Sequence, residues 1–132
     1  MLKFNSPIRY GLRAVIFLAS FDKNQKRQFS IREISKAENI PADYLEKIML
    51  SLKKAKIVES TRGKTGGYQL AVKPNKLNLE TIFQALDEKL IEKPCQKNCL
   101  HKKSCQAKSV WQTIDSAFKT SLKNIKLSQI IR

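Results

Sequence analysis

The sequence is poor in groups that serve acid–base catalysis. It contains one histidine, His101, and it shows no serine–histidine–aspartate set, no phosphate-binding loop and no dinucleotide fingerprint. A single imidazole offers little machinery for proton transfer near neutral pH. We therefore expect a protein that is not an enzyme and that has no small-molecule substrate.

A segment that could cross a membrane is also missing. The longest apolar stretch near the start, residues 14–19, falls far short of the roughly 20 residues that a spanning helix needs, and it lacks a cleavage-site pattern. We expect a cytoplasmic protein without membrane contact.

At 132 residues, with 42% hydrophobic and 28% charged residues, the chain can form one compact domain, or a small domain with an accessory helix.

Acidic residues are scarce. The chain has 11 Asp and Glu against 26 Lys and Arg, which gives a net charge of +15 at pH 7. Cationic side chains displace the counterions condensed on nucleic-acid phosphates, so this excess favours a polyanionic partner. The alternative is a generally basic, solvated surface without a specific partner.

Residues 30–56 predict two helices joined by a tight turn. Ser30 and Glu33 have the spacing of a capping box, and Asn39-Ile40-Pro41 ends the first helix. Residues 42–56 predict the second helix, because their apolar residues recur at steps of three and four. The stripe that this helix is expected to bury consists of Leu45, Ile48, Met49 and Leu52.

A basic, glycine-rich hairpin follows directly. Residues 57–61 favour a strand, and residues 68–72 alternate as in a second strand with one face towards the core. Between them, Gly63, Gly66 and Gly67 permit positive φ and a close approach of the backbone to another molecule. Two helices followed by such a hairpin are the parts of a winged helix-turn-helix. In that fold the second helix enters the major groove of DNA, and the hairpin, or wing, lies against the backbone.

Further helices flank this segment. Apolar periodicity predicts a helix over residues 6–21, with Ser6 as its cap and Pro7 in its first position, and Asn78 caps another helix. Past Cys105, an apolar line predicts a long helix. We expect this helix to pack on its symmetry mate in a homodimer; the alternative is a terminal helix folded on its own domain. The residues of the line are Val110, Ile114, Phe118, Leu122 and Ile125.

The predicted fold is therefore mainly α-helical, with a small β-hairpin wing. Residues 1–90 are expected to form a winged helix-turn-helix DNA-binding domain. Residues 91–108 are expected to form a cysteine-rich sensor loop, and residues 109–132 the dimerisation helix and a C-terminal tail.

The first turns of the second helix are expected to face the base edges of DNA. Asp43 or Glu46 can accept a hydrogen bond from a cytosine amino group, Lys47 can donate to guanine or phosphate, and Tyr44 can contact phosphate. The alternative is that Asp43 only stabilises the helix N-terminus through the helix dipole and that Glu46 is only solvated.

The wing supplies a second set of expected contacts. A narrow minor groove favours an inserted arginine, so Arg62 is expected there, with Gly63 letting the backbone come close. Lys64 and Thr65 are expected to lie on phosphates. The alternative is a plain hairpin loop.

These motifs resemble a known family. Arg62-Gly63-x-x-Gly66-Gly67-Tyr68-x-Leu70, preceded by Tyr44-Leu45-Glu46, is similar to the Rrf-two family of bacterial transcription factors, the IscR and NsrR type. The resemblance extends over essentially the whole chain through Tyr10-Gly11-Leu12-Arg13, Trp111 and Leu127-Ser128-Gln129-Ile130. It implies a homodimeric winged-helix regulator that binds an imperfect palindrome in double-stranded promoter DNA. By matching positions, it implies DNA contacts by Pro41, Asp43, Glu46, Lys47 and Arg62.

The three cysteines, Cys95, Cys99 and Cys105, point to metal or redox chemistry, or to inert thiols. An odd number cannot all pair within one chain, and a cytoplasm keeps thiols reduced. Cluster-binding members of the family hold an iron–sulfur cluster with three cysteines in this place, so the resemblance implies such a cluster, and soft thiolates suit iron. The spacing between Cys95 and Cys99 is two residues shorter than in those members.

The fourth ligand of such a cluster is open. Lys108 and Arg9 stand where branches of the family place a histidine or an aspartate. His101 can complete a site only through a tight bend after Cys99. Zinc bound by the three cysteines and His101, or thiols that sense redox state directly, are the alternatives. A winged-helix adaptor that binds proteins without DNA specificity is a further alternative.

Overall fold

The computed structural model describes residues 4–21, 27–64, 66–87, 99–101 and 103–131. Within these ranges the architecture is mainly helical, with one small antiparallel sheet. The elements in chain order are α1 (Ser6–Ser20), α2 (Ile31–Glu38), α3 (Ala42–Lys54), β1 (Val58–Thr61), β2 (Gly67–Leu70), a 3₁₀ turn (Pro74–Lys76), α4 (Leu79–Leu86), α5 (Ala107–Asn124) and α6 (Leu127–Ile130).

Polar side chains set the beginnings of three helices. Asn5, and not Ser6, caps α1, because its side chain accepts a hydrogen bond from the Ile8 amide at 3.1 Å. Ser30 caps α2 through the Glu33 amide at 3.1 Å, which is one half of the predicted capping box. The Glu33 carboxylate lies 3.6 Å from the Arg27 guanidinium and is not bonded to the Ser30 amide. Asn78 caps α4 through the Thr81 amide at 2.9 Å, also as predicted. Each cap satisfies a donor that the helix itself leaves without a partner.

The turn between α2 and α3 is short and tightly bonded. Asn39 has φ 52°, in the left-handed region that asparagine tolerates better than most residues. The Ile40 amide donates to the Ser35 carbonyl at 3.1 Å, and the Ser35 hydroxyl donates to the Ile40 carbonyl at 2.5 Å. Pro41 then precedes the first residue of α3, so local bonds fix the angle between α2 and α3.

The wing is a two-stranded hairpin, and the segment before α2 bonds to its second strand. β1 pairs with β2 in a register from Val58 opposite Leu70 to Thr61 opposite Gly67. On the other side of β2, the Phe29 amide donates to the Tyr68 carbonyl at 2.9 Å, and the Tyr68 amide donates to the Phe29 carbonyl at 2.7 Å. The segment before α2 therefore lies beside β2 like a short third strand and connects the wing to the helix-turn-helix.

One hydrophobic core unites all of these elements. Helix α1 lies at its centre and packs on α2, α3, α4 and β2. Gly11 permits the close approach of α4, since a Cβ there would lie 2.4 Å from the Leu86 side chain. The largest fully buried side chains are Ile8, Val15, Ile34, Ile40, Leu45, Met49, Leu52, Ile57, Val58, Ile82 and Leu127.

The C-terminal part of the chain returns to this core. The Leu79 amide donates to the Ile125 carbonyl at 3.0 Å, and the Leu127 amide donates to the Leu77 carbonyl at 2.8 Å. Leu122 and Ile131 are buried in the same cluster. The end of α5 and the start of α6 are thus packed into the same core as α1 and α4. Among the described residues, no helix combines the length and the apolar character needed to traverse a bilayer.

Helix α3 ends two residues before the predicted boundary. The left-handed position that follows it, which is most often glycine in proteins, is Lys56. Lys56 has φ 61°; its amide donates to the Lys53 carbonyl at 3.0 Å, and the Ile57 amide donates to the Leu52 carbonyl at 3.0 Å. This pair of bonds is a Schellman motif, whose left-handed position is most often glycine. A lysine there carries a steric cost of roughly 1–2 kcal/mol.

Lys56→Gly is expected to raise the free energy of unfolding by about 1 kcal/mol. The substitution relieves the steric cost, and the extra freedom of glycine in the unfolded chain offsets part of the gain. Urea denaturation monitored by circular dichroism measures the change. Lys56→Ala is the matched control, because it removes the same charge but keeps a Cβ. Equal stability of the two variants would contradict the assignment.

Candidate nucleic-acid interface

The two faces of α3 differ sharply. Leu45, Ile48, Met49 and Leu52 are buried, as the periodicity predicted. The N-terminal turns present Pro41, Asp43, Glu46 and Lys47 to solvent. Because the buried face is fully engaged in the core, the orientation of the exposed face is fixed. The structure thus brings together four of the residues that the sequence predicted to contact DNA.

Tyr44 takes a different position from its neighbours. It is half-buried, and its ring lies edge-on to the ring of Tyr10, with 5.5 Å between centroids and an interplanar angle of 77°. The Arg9 guanidinium lies 6.0 Å from the Tyr10 ring centroid. An aromatic pair of this geometry stabilises packing beyond the area that it buries. The Tyr44 ring therefore helps to seat α3 on α1, and a phosphate contact by its hydroxyl stays a prediction.

The wing presents its cationic residues at the tip of the hairpin. Arg62, Gly63 and Lys64 are exposed, while Thr65 lies outside the described residues. Gly63 has φ 117° and accepts the Gly66 amide at 3.1 Å, which closes the turn. Gly67 has φ 151°, and a Cβ there would lie 2.5 Å from the Phe29 carbonyl oxygen. The glycines therefore let the wing turn and dock on the segment before α2.

Electrostatic partners are few on this surface. In the part of the chain that the structure describes, the ion pairs are Arg13–Glu38 at 3.3 Å, Arg27–Glu33 at 3.6 Å and Lys119–Asp115 at 3.0 Å. Each of these pairs lies outside α3 and the wing. The charges of the outer face of α3 and of the wing tip are thus presented to solvent without an ionic partner in the described chain.

Two contacts that sequence reasoning missed hold this surface together. The Lys53 ammonium donates to the Ser60 hydroxyl at 2.7 Å and links the end of α3 to β1. The Arg13 guanidinium lies 3.3 Å from the Glu38 carboxylate and also donates to the Glu38 carbonyl. A cation at the C-terminal end of α2 is favoured by the helix dipole. Arg13 belongs to the Tyr-Gly-Leu-Arg stretch, but its partner is distant in sequence.

Of the predicted metal ligands, three are described. Cys99 and His101 are exposed, Cys105 is half-buried, and Cys95 lies outside the described residues. Cys99 and Cys105 carry free thiols. Among the described residues, no three potential metal ligands of the histidine, cysteine or carboxylate type converge. The donor chemistry fits iron–sulfur or zinc binding, since both take thiolates. A complete ligand set requires Cys95.

The apolar line of the long helix divides into two parts. Val110 and Ile114 are each 54% exposed, whereas Phe118 is half-buried and Leu122 is buried in the core of its own chain. Ile125 lies beyond the end of α5, where the backbone is extended. Trp111, 44% exposed, widens the exposed part. The first turns of α5 thus carry an apolar surface that the described part of the chain leaves open.

Comparisons with known proteins place this arrangement among transcriptional regulators. The Rrf2 family model, described as an iron-dependent transcriptional regulator, matches residues 4–132. The HTH-type transcriptional regulator IscR of Vibrio vulnificus (strain YJ016) is 30% identical over 132 residues, covering 98% of this chain and 77% of that protein. The putative HTH-type transcriptional regulator slr0846 of Synechocystis is 32% identical over 130 residues, covering 98% and 87%.

Solved structures agree in fold. CymR, the global cysteine regulator of B. subtilis, superposes with a TM-score of 0.79 and 28% identity, covering 98% of this chain and 96% of that chain. T. potens IscR gives a TM-score of 0.77 and 27% identity, covering 98% and 85%. The predicted fold class, mainly α with a hairpin wing and a long C-terminal helix, is confirmed. The relatives are regulators, which also confirms that the chain is not an enzyme.

Proposed function

The chain belongs to the Rrf2 family of transcriptional regulators, and from that premise we propose that it binds promoter DNA as a homodimer under the control of its cysteine segment. The observation that carries the DNA-binding part is the joint exposure of α3 and the wing. Glu46 and Lys47 on α3 and Arg62 on the wing all face solvent, and the Lys53–Ser60 hydrogen bond connects the two elements.

In the proposed complex, α3 lies in the major groove. Glu46 or Asp43 accepts a hydrogen bond from a cytosine amino group, and Lys47 donates to guanine or to a phosphate. Arg62 enters the adjacent minor groove, where its charge is attracted by the strong negative potential, and Lys64 lies on the backbone. The net charge of +15 supplies the sequence-independent part of the affinity.

The exposed apolar turns of α5 support the homodimer. Val110, Trp111 and Ile114 lie on one helical surface, where leaving large apolar side chains in water is unfavourable. A second copy related by a two-fold axis covers the same surface on both protomers. The two-fold axis also presents two copies of α3 to one duplex, as an imperfect palindrome requires.

The cysteine segment supports a sensing role. Cys95, Cys99 and Cys105 precede α5 and follow α4, and α4 packs on α3. We assign to them an iron–sulfur cluster, with zinc or direct thiol oxidation as the alternatives and His101 as a candidate fourth ligand. A bound cluster would supply iron that responds to oxygen, nitric oxide or iron supply. A group held between α4 and α5 can alter DNA affinity only through different interactions with two arrangements of these helices.

Arg62→Ala is expected to weaken binding to a selected promoter site about 5- to 150-fold, because losing one specific arginine contact to DNA costs roughly 1–3 kcal/mol. Fluorescence anisotropy at about 50 and about 200 mM salt measures the dissociation constants and the salt dependence. Lys123→Ala removes the same charge from the last turn of α5, outside α3 and the wing, so it is expected to change binding by less than about threefold. Equal losses would refute a specific role for Arg62. Salt-independent binding, or equal binding to a scrambled duplex, would favour a protein adaptor.

Ile114→Glu is expected to convert the dimer to monomers, because it places a charge from each copy in a buried apolar contact. Sedimentation equilibrium measures the mass, and circular dichroism checks that the protomer stays folded. Gln112→Glu, which introduces the same charge on another side of α5, is expected to remain dimeric. A dimeric Ile114→Glu variant would show that the interface lies elsewhere.

Cys99→Ala is expected to abolish cluster binding and the response to the signal while leaving dimerisation intact. Anaerobic purification followed by visible absorption and by iron and sulfide analysis detects the cluster. Ser104→Ala, in the same segment, is the control and is expected to retain the cluster. Wild-type protein without colour and iron would contradict the cluster, and zinc in the same sample would select the zinc alternative.

A further inference from the structure

Leu50 is a large apolar residue on the exposed, mostly charged face of α3. It lies in the third turn of α3 and is 59% exposed, while the other leucine, isoleucine and methionine side chains of this helix are buried. Each helical residue advances about 100°, so Leu50 lies roughly 20° from Asp43 around the helix axis. It also falls between Glu46 and Lys47 on the helix surface. Leu50 therefore lies at the centre of the outward stripe of α3.

The surroundings of Leu50 do not suit an apolar docking surface. Its neighbours on the exposed face of α3 are charged: Glu46, Lys47, Lys53 and Lys54. A protein partner that buried Leu50 would also bury these charges, which is costly unless each finds its own partner. Isolated apolar residues do occur on protein surfaces without a role. What distinguishes Leu50 is its alignment with the residues proposed to read bases.

The major groove offers a matching environment. Its walls are phosphates, which suit lysines, and its floor carries one apolar group in standard bases, the C5-methyl of thymine. With a helical rise of about 1.5 Å per residue, Leu50 lies roughly 6 Å beyond Glu46 along α3. That distance corresponds to about two base steps at about 3.4 Å each.

We propose that Leu50 is a specificity-determining residue that contacts the C5-methyl group of a thymine, one or two base pairs from the base that Glu46 contacts. The proposal rests on the DNA-binding function proposed above and extends it. It adds an apolar requirement to a site that otherwise reads hydrogen-bond donors and acceptors.

The test removes the methyl group and the side chain separately. Full-length protein first selects its preferred duplex from a random pool. Each thymine of one half-site is then replaced by deoxyuridine, which deletes only the C5-methyl, and dissociation constants are measured for the wild type and for Leu50→Ala. Alanine keeps the helix propensity of this exposed position, so the fold is expected to be unchanged. Thermal unfolding checks this for every variant.

Replacing one particular thymine is expected to weaken binding by the wild type about fourfold, which is the effect of losing one buried methyl group. The same replacement is expected to weaken binding by the Leu50→Ala variant less than about 1.5-fold, because the side chain that contacts the methyl group is absent. Leu50→Met, which keeps an apolar side chain of similar volume, is expected to retain most of the thymine dependence.

The failures of the two proposals are distinguishable. If the pool yields a preferred duplex but both proteins respond alike to every deoxyuridine, the role of Leu50 is refuted and the DNA-binding function stands. A preferred half-site without thymine refutes the role of Leu50 in the same way. If no duplex is enriched, the proposed promoter binding fails, and the role of Leu50 fails with it.

Discussion

The buried face of α3 is the constraint on which the rest of the candidate interface depends. Leu45, Met49 and Leu52 are fully buried in the core that α1 organises, so the helix cannot rotate without opening cavities. Each such cavity would cost several kcal/mol. The core thereby determines which side chains of α3 reach solvent. A change in the core beneath α3 would disturb recognition even where no contact residue is altered.

The wing obeys a related constraint. β2 is bonded on one side to β1, the other strand of the hairpin, and on its outer side to Phe29, so the segment before α2 holds one edge of the hairpin. The Lys53–Ser60 hydrogen bond adds a direct link between α3 and the sheet. Because Phe29, Val58 and Leu70 are buried in the core that also holds α3, the base of the wing keeps a fixed relation to the exposed face of α3. A fixed relation is what a protein needs to read a major groove and the adjacent minor groove together.

Much of this fold follows from local sequence patterns. The periodicity of α3, the cap at Ser30, the helix break at Asn39-Ile40-Pro41 and the glycines of the wing each act within a few residues, so they are readable from the sequence. The missed features are long-range. The pairing of Phe29 with Tyr68, of Arg13 with Glu38 and of Leu77 with Leu127 joins segments whose partners no local pattern specifies. The end of α3 was predicted two residues late because Lys56 adopts a conformation that its residue type does not signal.

The return of the C-terminal segment bears on how a signal would reach DNA. Ile125 and Leu127 bond to the chain on either side of Asn78, the residue that caps α4, so α5 is anchored at its C-terminal end. The N-terminal end of α5 follows Cys105 and carries the exposed apolar surface proposed for the dimer. A helix anchored at one end transmits a change at the other end mainly as a tilt. In the proposed dimer, a tilt of α5 would change the separation of the two copies of α3. The cysteines precede the end of α5 at which such a tilt would begin.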